Sequence, residues 1–485
     1  MLVIISDLHL GDGTTAASIP ASAFYLFAKR LRQDAHFASM RYGNYRPVEE
    51  LDVILMGDII DPLHSTKWLF PPKGHEQYIT VDDKDFIRIT EEGDANYIRP
   101  WSDPSHPFFA PKLLEVTQAI IEHNKDALEI MRKLANGELI EFDPQNGSGN
   151  RDASSQNKIP LKVRFHYMVG NHDWYYHLKG EAFDKIRQVI IDAMGLINPP
   201  TPFPFDLRKV DPNSEWEQDE APDIERLFRE YQVFARHGDY YDPFNFNSVL
   251  GRDHATIGDA FTMEVCNRYP EELKRRPDLD PKIVDNLRHI TNVRPALATP
   301  LWISGQIKRL SNEQVLTGMN ERDIKRIWDD LGKKFINLKF VRSKDIPFKI
   351  DVVDKMEAAI KISSLISAKT LDNLIYKLQN RRLFGSNDHS FAQFTLNEPS
   401  FKDDSARYIV YGHTHHQETV PLDYDDHGGN QIYFNSGTWH TYFDLARKNP
   451  KEKKFVPYKA LTYITFYKEN EHDDRHFETW TGAYA

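Results

Sequence analysis

The sequence LVIISDLH at residues 2–9 joins two kinds of residue in a fixed order. Four apolar residues, Leu2 to Ile5, are followed directly by a segment that contains Asp7 and His9. A short run rich in β-branched residues and bounded by polar residues is typical of a buried strand. In layered α/β folds, ligands collect at the carboxyl ends of such strands. This stretch therefore predicts a strand that brings an acid and an imidazole to one edge of a sheet.

Four further apolar runs end in polar residues of the same kind. They are residues 53–56 before Gly57-Asp58-Ile59-Ile60-Asp61, residues 163–169 before Gly170-Asn171-His172-Asp173, residues 231–235 before His237-Gly238, and residues 408–411 before Gly412-His413-Thr414-His415. Together with the first run, these segments predict an α/β fold in which five strand ends meet at one edge.

Helical patterns lie between the predicted strands. Apolar residues spaced by three and four run from Pro111 to Leu134 and stop before Gly137, which predicts one helix packed on a sheet. Residues 179–194 predict a second helix on the same sheet. The final apolar runs, at 431–434, 460–467 and 476–480, predict a β meander.

Length and composition exclude several classes of protein. A chain of 485 residues exceeds the usual size of one domain, so we expect two domains or one core with large insertions. The only cysteine, Cys266, excludes an intrachain disulfide and a cysteine-based metal cluster. The net charge of −11 argues against a nucleic-acid coat protein. Without a long apolar run or a signal-peptide pattern, we expect a cytoplasmic protein with no membrane partner.

Residues 248–395 differ from the rest of the chain in pattern and charge. They carry repeated amphipathic helix patterns, for example Leu371, Leu374, Ile375 and Leu378. Residues 261–390 contain 24 Lys and Arg against 17 Asp and Glu, a net charge of +7, whereas the remainder carries −18. We therefore predict three segments: a first core part at 1–247 with loop insertions at about 62–107 and 138–160, a basic helical insert at 248–395, and a second core part at 396–485.

The polar residues at the five strand ends predict a metal centre. One such residue alone is usually a turn, a cap or a packed side chain. Carboxylate, carboxamide and imidazole donors together suit Mn²⁺, Zn²⁺ or iron. Seven donors are too many for one tetrahedral ion and fit two ions that share one carboxylate. These candidate ligands are Asp7, His9, Asp58, Asn171, His237, His413 and His415.

As a set and in this order, the five motifs resemble those of the calcineurin-like metallophosphoesterase superfamily. The resemblance implies a four-layer α/β/β/α sandwich of two mixed sheets with helices outside, and it leaves the basic insert unexplained. It also implies two divalent ions, with Mn²⁺ expected and iron or Zn²⁺ as alternatives. One ion would be held by Asp7, His9 and His415, the other by Asn171, His237 and His413, and Asp58 would bridge them.

The resemblance further implies an enzyme that hydrolyses phosphoesters through a hydroxide held between the two ions. His172 would then act near the leaving oxygen, and Asp173 would orient it. We expect Asp61 to cap the following segment or to support a ligand. His64 and His440 are interpreted as surface or packing histidines. The aromatic run at 174–176 is interpreted as a pocket wall, as core packing or as an oligomer contact.

The sequence leaves several substrates open. A small or nucleotide-like phosphodiester is the first choice, and the alternatives are a nuclease, a phosphomonoesterase such as a protein phosphatase, and a metal-binding scaffold without activity. A nucleic-acid substrate is less favoured because the core is acidic. The insert is expected either to select substrates as a cap or to form an outer or assembly surface. Its basic residues are Arg275, Arg276, Lys308, Arg309, Lys333, Lys334, Arg381 and Arg382. The oligomeric state does not follow from the sequence.

Overall fold

The chain folds into a mixed α/β structure built around a central mixed sheet. The computed structural model describes residues 1–15, 17–73, 89–276, 278–294, 298–313, 318–345, 353, 391–424, 429–446, 454–469 and 471–483. No described helix combines the length and the apolar composition that a membrane crossing needs.

The larger sheet has six strands, and its centre is the first predicted strand. β1 lies between β4, which is parallel to it, and β13, which is antiparallel. β7 extends the sheet beyond β4 in parallel, while β12 and β14 pair with β13. The strands are β1 (Leu2–Ile5), β4 (Leu51–Met56), β7 (Val163–Met168), β12 (Thr441–Leu445), β13 (Phe455–Phe466) and β14 (Phe477–Ala483). β2 (Met40–Arg41) and β3 (Asn44–Tyr45) form a small hairpin, as do β5 (Glu141–Phe142) and β6 (Ile159–Pro160).

A second sheet of four strands contains the other two predicted strand ends. Its order is β10-β11-β9-β8, with β8, β9 and β11 parallel and β10 antiparallel. Side chains of both sheets share one hydrophobic cluster, which includes Ile4 and Met56 of the first sheet and Ile409 and Tyr433 of the second. The strands are β8 (Val233–Ala235), β9 (Tyr408–Tyr411), β10 (Glu418–Tyr424) and β11 (Asn430–Asn435).

Helices cover the other face of the larger sheet. Val3 and Val53 point into a cluster with Phe27, Val116 and Ile190 from three of these helices. Burial on both faces explains why the central strands are apolar throughout. The helices of the core that precede the insert are α1 (Ala21–Ala38), α2 (Phe109–His123), α3 (Lys125–Asn136), α4 (Glu181–Met194) and α5 (Pro222–Tyr231).

The single helix predicted from Pro111 to Leu134 is divided in two. The break falls at Asn124, whose side-chain amide donates hydrogen bonds to the carbonyl oxygens of Ile120 and Gly11, each at 2.8 Å. An asparagine that binds nearby backbone groups competes with the helical hydrogen-bond pattern. The predicted stop at Gly137 is confirmed, because this glycine ends α3 in the left-handed conformation.

The predicted C-terminal meander is correct only in part. β12, β13 and β14 are antiparallel neighbours, as a meander requires. β11, however, pairs in parallel with β9 in the second sheet. The run at 431–434 therefore belongs to a different sheet from the two runs that follow it.

The basic stretch is helical where it is described and has a hydrophobic cluster of its own. That cluster includes Phe261, Leu287, Trp302 and Phe335. The predicted helix around Leu371, Leu374, Ile375 and Leu378, like Arg381 and Arg382, lies outside the described residues, and the segment boundaries stay a prediction. The elements are α6 (Ile257–Phe261), a π-helical segment (Thr262–Asn267), α7 (Arg268–Lys274), α8 (Pro281–Leu287), α9 (Thr299–Asn312), α10 (Gly318–Asn337) and α11 (Lys339–Arg342), followed by the short α12 (Ala392–Thr395) and α13 (Pro399–Lys402).

Candidate metal centre

The seven candidate ligands lie in five loops at the carboxyl ends of β1, β4, β7, β8 and β9. Six of the seven are buried, and His413 is partly exposed. Their donor atoms form two neighbouring sets that meet at Asp58. The structure thus brings together all seven residues that the sequence singled out.

The first set contains Asp7, His9 and His415. The Nε2 atoms of His9 and His415 face each other at 3.1 Å. The Oδ1 atom of Asp7 lies 3.3 Å from His415 Nε2 and 3.8 Å from His9 Nε2. The other oxygen of Asp7, Oδ2, accepts hydrogen bonds from the Ser6 hydroxyl and from the His413 backbone N–H. One carboxylate oxygen is therefore held by the protein, and the other is directed at the two imidazoles.

The second set contains Asn171, His237 and His413. The side-chain oxygen of Asn171 lies 3.2 Å from His237 Nε2 and 3.0 Å from His413 Nδ1. One oxygen and two ring nitrogens thus converge on a common point.

Asp58 lies between the two sets. Its Oδ2 atom is 3.7 Å from His9 Nε2 and 3.3 Å from His237 Nε2, so one oxygen faces a histidine of each set. Its Oδ1 atom accepts a hydrogen bond of 2.8 Å from the backbone N–H of His172. This is the position that a bridging carboxylate requires.

Five of the seven candidate ligands have positive φ angles. The values are 54° at Asp7, 45° at His9, 55° at Asp58, 65° at His413 and 63° at His415. Non-glycine residues seldom adopt this left-handed conformation, which costs about 1–3 kcal/mol per residue and occurs preferentially at functional sites. The backbone is therefore strained where the candidate ligands lie.

The motif glycines allow the loops to approach each other closely. A Cβ atom at Gly170 would overlap Asp58 Oδ1 and the His237 ring. A Cβ atom at Gly412 would overlap Asp7 Oδ2 and the Ser6 hydroxyl. Any other residue at either position would push candidate ligands apart.

Three imidazoles are oriented by hydrogen bonds at the ring nitrogen that faces away from the other donors. His9 Nδ1 lies 2.7 Å from Asp61 Oδ2, and His413 Nε2 lies 3.0 Å from Asp242 Oδ2. His237 Nδ1 lies 3.0 Å from the carbonyl oxygen of Met56. Such partners fix the tautomer and the direction of a metal-binding histidine. Asp242 follows no predicted strand, and sequence analysis did not identify it.

Asp61 is the common partner of three histidines. Its carboxylate contacts His9, His64 Nδ1 at 2.8 Å, and His172 Nδ1 at 3.1 Å. It also accepts a hydrogen bond from the backbone N–H of His64 and so caps the turn at Pro62–His64. The capping role expected of Asp61 is confirmed, and its contact with His9 is the one that support of a ligand would need.

The expected pairing of Asp173 with His172 is wrong. The carboxylate beside His172 is that of Asp61, whereas Asp173 accepts hydrogen bonds from the backbone N–H groups of Gly170 and Ile59 and from the Tyr167 hydroxyl. Asp173 therefore ties together two loops that carry candidate ligands. Burial raises its pKa to about 6, with the charge of Asp58 adding to that effect.

His64 and His440, for which the sequence predicts a surface or a packing role, are not at the surface, and both are buried beside the centre. The His64 ring lies 4.7 Å from that of His172, and the His440 ring lies 5.6 Å from that of His9, measured between centroids. Neither follows an apolar run that predicts a strand end. The sequence pattern therefore offers little to distinguish them from other histidines.

The aromatic run at 174–176 belongs to the core. Trp174, Tyr175 and Tyr176 are all buried in the cluster beneath the helices, and the Tyr176 hydroxyl lies 2.9 Å from that of Thr117. Of the interpretations offered by the sequence, core packing is the one observed.

The pKa values of two imidazoles, those of His237 and His9, reflect the negative charge around them. Burial alone would lower the pKa of His237, but Asp58 and Asp7 raise it to about 10. His9 behaves similarly, and Asp61 and Asp7 raise its pKa to about 9 against the effect of burial. Burial would raise the pKa of Asp7, yet His237, His415 and His9 hold it well below its usual value. The negative charge that favours protons on these imidazoles equally favours a metal cation.

The buried His and Asp groups can hold a metal ion. Three overlapping sets have donor atoms close enough to share an ion: Asp7, His9 and His415; Asp7, Asp58 and His237; and His9, Asp61, His64 and His172. The first two sets fall within the predicted ligands. No protein-family model and no curated protein sequence matches this chain.

Proposed function

We propose that this chain is a metal-dependent phosphoester hydrolase of the calcineurin-like metallophosphoesterase superfamily. The observation that carries the proposal is the convergence of seven O and N donors, from five separate loops, into two sets joined by Asp58 Oδ2. A lone buried His–Asp pair has a simpler structural explanation, but this arrangement has the donor number and the shared carboxylate of a dinuclear centre.

The donor set fits two divalent ions. The buried Asp7 Oδ1 has no hydrogen-bond partner among the described residues, and two ring nitrogens meet in front of it. Asp7, His9 and His415 would hold one ion, Asn171, His237 and His413 the other, and Asp58 both. Mixed oxygen and imidazole ligands suit Mn²⁺, iron or Zn²⁺. When bound, two such ions activate water near neutral pH and neutralise charge on phosphoryl oxygens.

The fold supports the same assignment. One hydrophobic cluster joins the two sheets, helices α1 to α4 pack on the outer face of the larger sheet, and α5 packs with the smaller one. We therefore propose the four-layer α/β/β/α sandwich as the architecture, with the stretch at 248–395 inserted between its strands.

In this proposal, His172 gives a proton to the leaving oxygen. Its Nδ1 atom contacts Asp61, and its backbone N–H is held by Asp58 Oδ1, so the ring is fixed beside the shared carboxylate. With Nδ1–H donated to Asp61, the other ring nitrogen, Nε2, is the one available to substrate. A general acid matters most when the leaving group is strongly basic.

As substrate we propose a small phosphodiester, because alkoxide leaving groups need the acid that His172 would supply. The aromatic run at 174–176 is in the core and gives no support for a nucleotide base. Phosphomonoesters, nucleic acids and a scaffold role stay as alternatives that the test below separates.

The test is a substrate panel with metal-stripped protein to which Mn²⁺, Zn²⁺ or Fe²⁺ is added back. The panel contains a chromogenic phosphodiester, the matching monoester, cyclic nucleotides, single-stranded DNA and a phosphopeptide. We expect metal-dependent turnover with preference for a small diester. Two bound ions without turnover of any ester would support the scaffold instead.

A further inference from the structure

The insert is bound to the loops that carry the metal ligands. The Arg288 guanidinium donates hydrogen bonds to the carbonyl oxygens of Gly13 (2.6 Å) and Thr15 (2.8 Å), in the loop that follows His9. A few residues later, the backbone N–H of Arg294 donates to the carbonyl oxygen of Phe443 in β12. The segment from Arg288 to Arg294 therefore lies along the metal edge, by which we mean the sheet edge where the loops with the candidate ligands meet.

This segment also contacts the edge through side chains. Asn292 Oδ1 lies 2.9 Å from His440 Nε2, and the His440 ring is adjacent to that of His9. At the turn Pro62–His64, Asn267 of the π-helical segment donates to the carbonyl oxygen of Leu63 at 2.8 Å. Two parts of the insert thus contact segments that carry histidines of the cluster.

Arg294 differs in its partners from Arg275 and Arg276, two other arginines of the insert. Arg276 lies 2.8 Å from Asp323, and Arg275 lies 3.3 Å from Glu272, so both have acidic partners within the insert. Arg294 instead donates from Nη1 to the carbonyl oxygens of Thr291 (2.9 Å) and Val293 (3.2 Å). Among the described residues, no carboxylate lies within ion-pair distance of it.

The charges acting on Arg294 are those of the metal site. Burial lowers its pKa, and the acids that oppose this effect are Asp7, Asp58 and Asp61. The geometry agrees with this, because Nη1 of Arg294 donates to the carbonyl oxygen of Thr291, the neighbour of Asn292, and the Asn292 side chain contacts His440 beside the His9 ring. The guanidinium therefore belongs to the part of the insert that contacts this cluster of histidines.

We propose that Arg294 binds the nonbridging oxygen atoms of the substrate's phosphoryl group, so that the insert completes the site. This inference rests on the proposed function. Once cations neutralise Asp7 and Asp58, Arg294 adds a further positive charge to the same edge, and no carboxylate of the described residues forms an ion pair with it. A phosphoryl group supplies an anion, and the planar fork of an arginine matches two phosphoryl oxygens.

The test measures binding of inorganic phosphate to Mn²⁺-loaded protein by calorimetry, together with metal content and turnover. Loss of a hydrogen bond to a charged group weakens binding by about 10- to 100-fold, so Arg294→Gln should lose that much affinity while keeping both metals. Arg294→Lys keeps the charge but loses the fork, and its affinity should be intermediate. The control is Arg309→Gln, which removes an exposed cation that lies near Glu313; its phosphate affinity should match that of the wild type.

Equal phosphate affinity in wild type and Arg294→Gln overturns the inference, as does a wild type that binds no phosphate at millimolar concentration. If Arg294→Gln does not fold, wild-type affinity in Arg294→Lys overturns it. A wild type that binds phosphate through Arg294 but hydrolyses no ester leaves the anion site standing and refutes the hydrolase. Conversely, normal turnover with unchanged phosphate binding in the variants refutes only the role of Arg294.

Discussion

Two groups of histidine and aspartate in this molecule, one buried and one half-buried, differ in whether their hydrogen bonds are complete. His177 lies between Asp253 (Nδ1 to Oδ1, 2.5 Å) and Asp219 (Nε2 to Oδ1, 2.9 Å), and the second oxygen of Asp219 accepts two backbone N–H groups. At the metal edge, by contrast, His9 and His415 face each other with Nε2 atoms 3.1 Å apart.

The backbone differs in the same way. Asp7, His9 and Asp58 have positive φ angles, whereas His177 and its two acids do not. A structural cluster satisfies its polar atoms in relaxed geometry, while a binding site retains strain and leaves donor atoms to its ligand. By this criterion the group around Asp58 has the character expected of a binding site, whereas the group around His177, hereafter the His177 cluster, joins segments of the fold.

The strongest test of this contrast removes the shared carboxylate. Asp58→Asn should lose both ions and reduce turnover to background, because Oδ2 faces a histidine of each set. His9→Ala and Asn171→Ala should mainly affect one ion each. Elemental analysis after desalting from Mn²⁺ checks this, with Asp219→Asn as the matched control from the His177 cluster. One ion retained at full occupancy in Asp58→Asn would show that this residue does not bridge.

Removal of the proposed acid should separate chemistry from metal binding. His172→Ala should keep both ions and lose about 10²- to 10⁴-fold in turnover of an ester with a basic leaving group. The loss should be smaller for an activated nitrophenyl ester. His177→Ala makes the same change in the His177 cluster and should leave the turnover of folded protein unchanged. Equal losses for both esters would contradict a proton-donor role.

Removing the charge of Asp61, which contacts three histidines, should have a smaller effect on turnover than removing the ring of His172. Asp61→Asn retains a similar shape but removes the charge shared by His9, His64 and His172. Partners of metal ligands typically contribute about 10- to 100-fold in metal affinity or activity. We expect losses of that size in both the metal affinity and the turnover of Asp61→Asn. Metal titration and steady-state kinetics check this. If the variant has unchanged metal affinity and turnover, Asp61 has only a structural role.

The smallest effect concerns stability at alkaline pH. Burial alone would lower the pKa of His177, but Asp219 and Asp253 raise it to about 9, above the 6.5 of an unperturbed imidazole. A raised pKa stabilises the fold fully below about pH 6.5 and loses that effect as the pH rises through 9, by up to about 3 kcal/mol. In urea unfolding, His177→Gln should differ from wild type more at pH 6 than at pH 10. If the free energies of unfolding of wild type and variant differ equally at pH 6 and pH 10, protonation of His177 is not linked to stability.

Sequence patterns predicted the short strands and the polar residues that directly follow them, because this pattern recurs along the chain and depends only on neighbouring residues. The strand at Leu2–Ile5 and that at Tyr408–Tyr411 have the bounds expected from their apolar runs. The candidate ligands were found because each follows such a run, and the structure brings them together. Whether they bind metal stays a prediction.

Parts of the site that depend on distant segments could not be predicted. Asp173 is next to His172 in sequence, but its oxygens are taken by backbone N–H groups of two loops, and the acid that reaches the ring is Asp61. Arg294 lies in an irregular segment of the insert, and only the docking of that segment on β12 shows where it belongs. Such contacts follow from the packing of distant segments in the fold rather than from the spacing of residues along the sequence.

The position of β13 has a consequence for synthesis of the chain on the ribosome. β13 covers the edge of β1 that faces away from β4, and His415 lies 406 residues after His9. Until residues 455–466 have emerged, β1 keeps an unpaired edge, which is a hazard for association between nascent chains. A nascent chain that lacks these residues therefore has an incomplete central sheet, and stable metal uptake is expected to follow translation of the last strands rather than to accompany it.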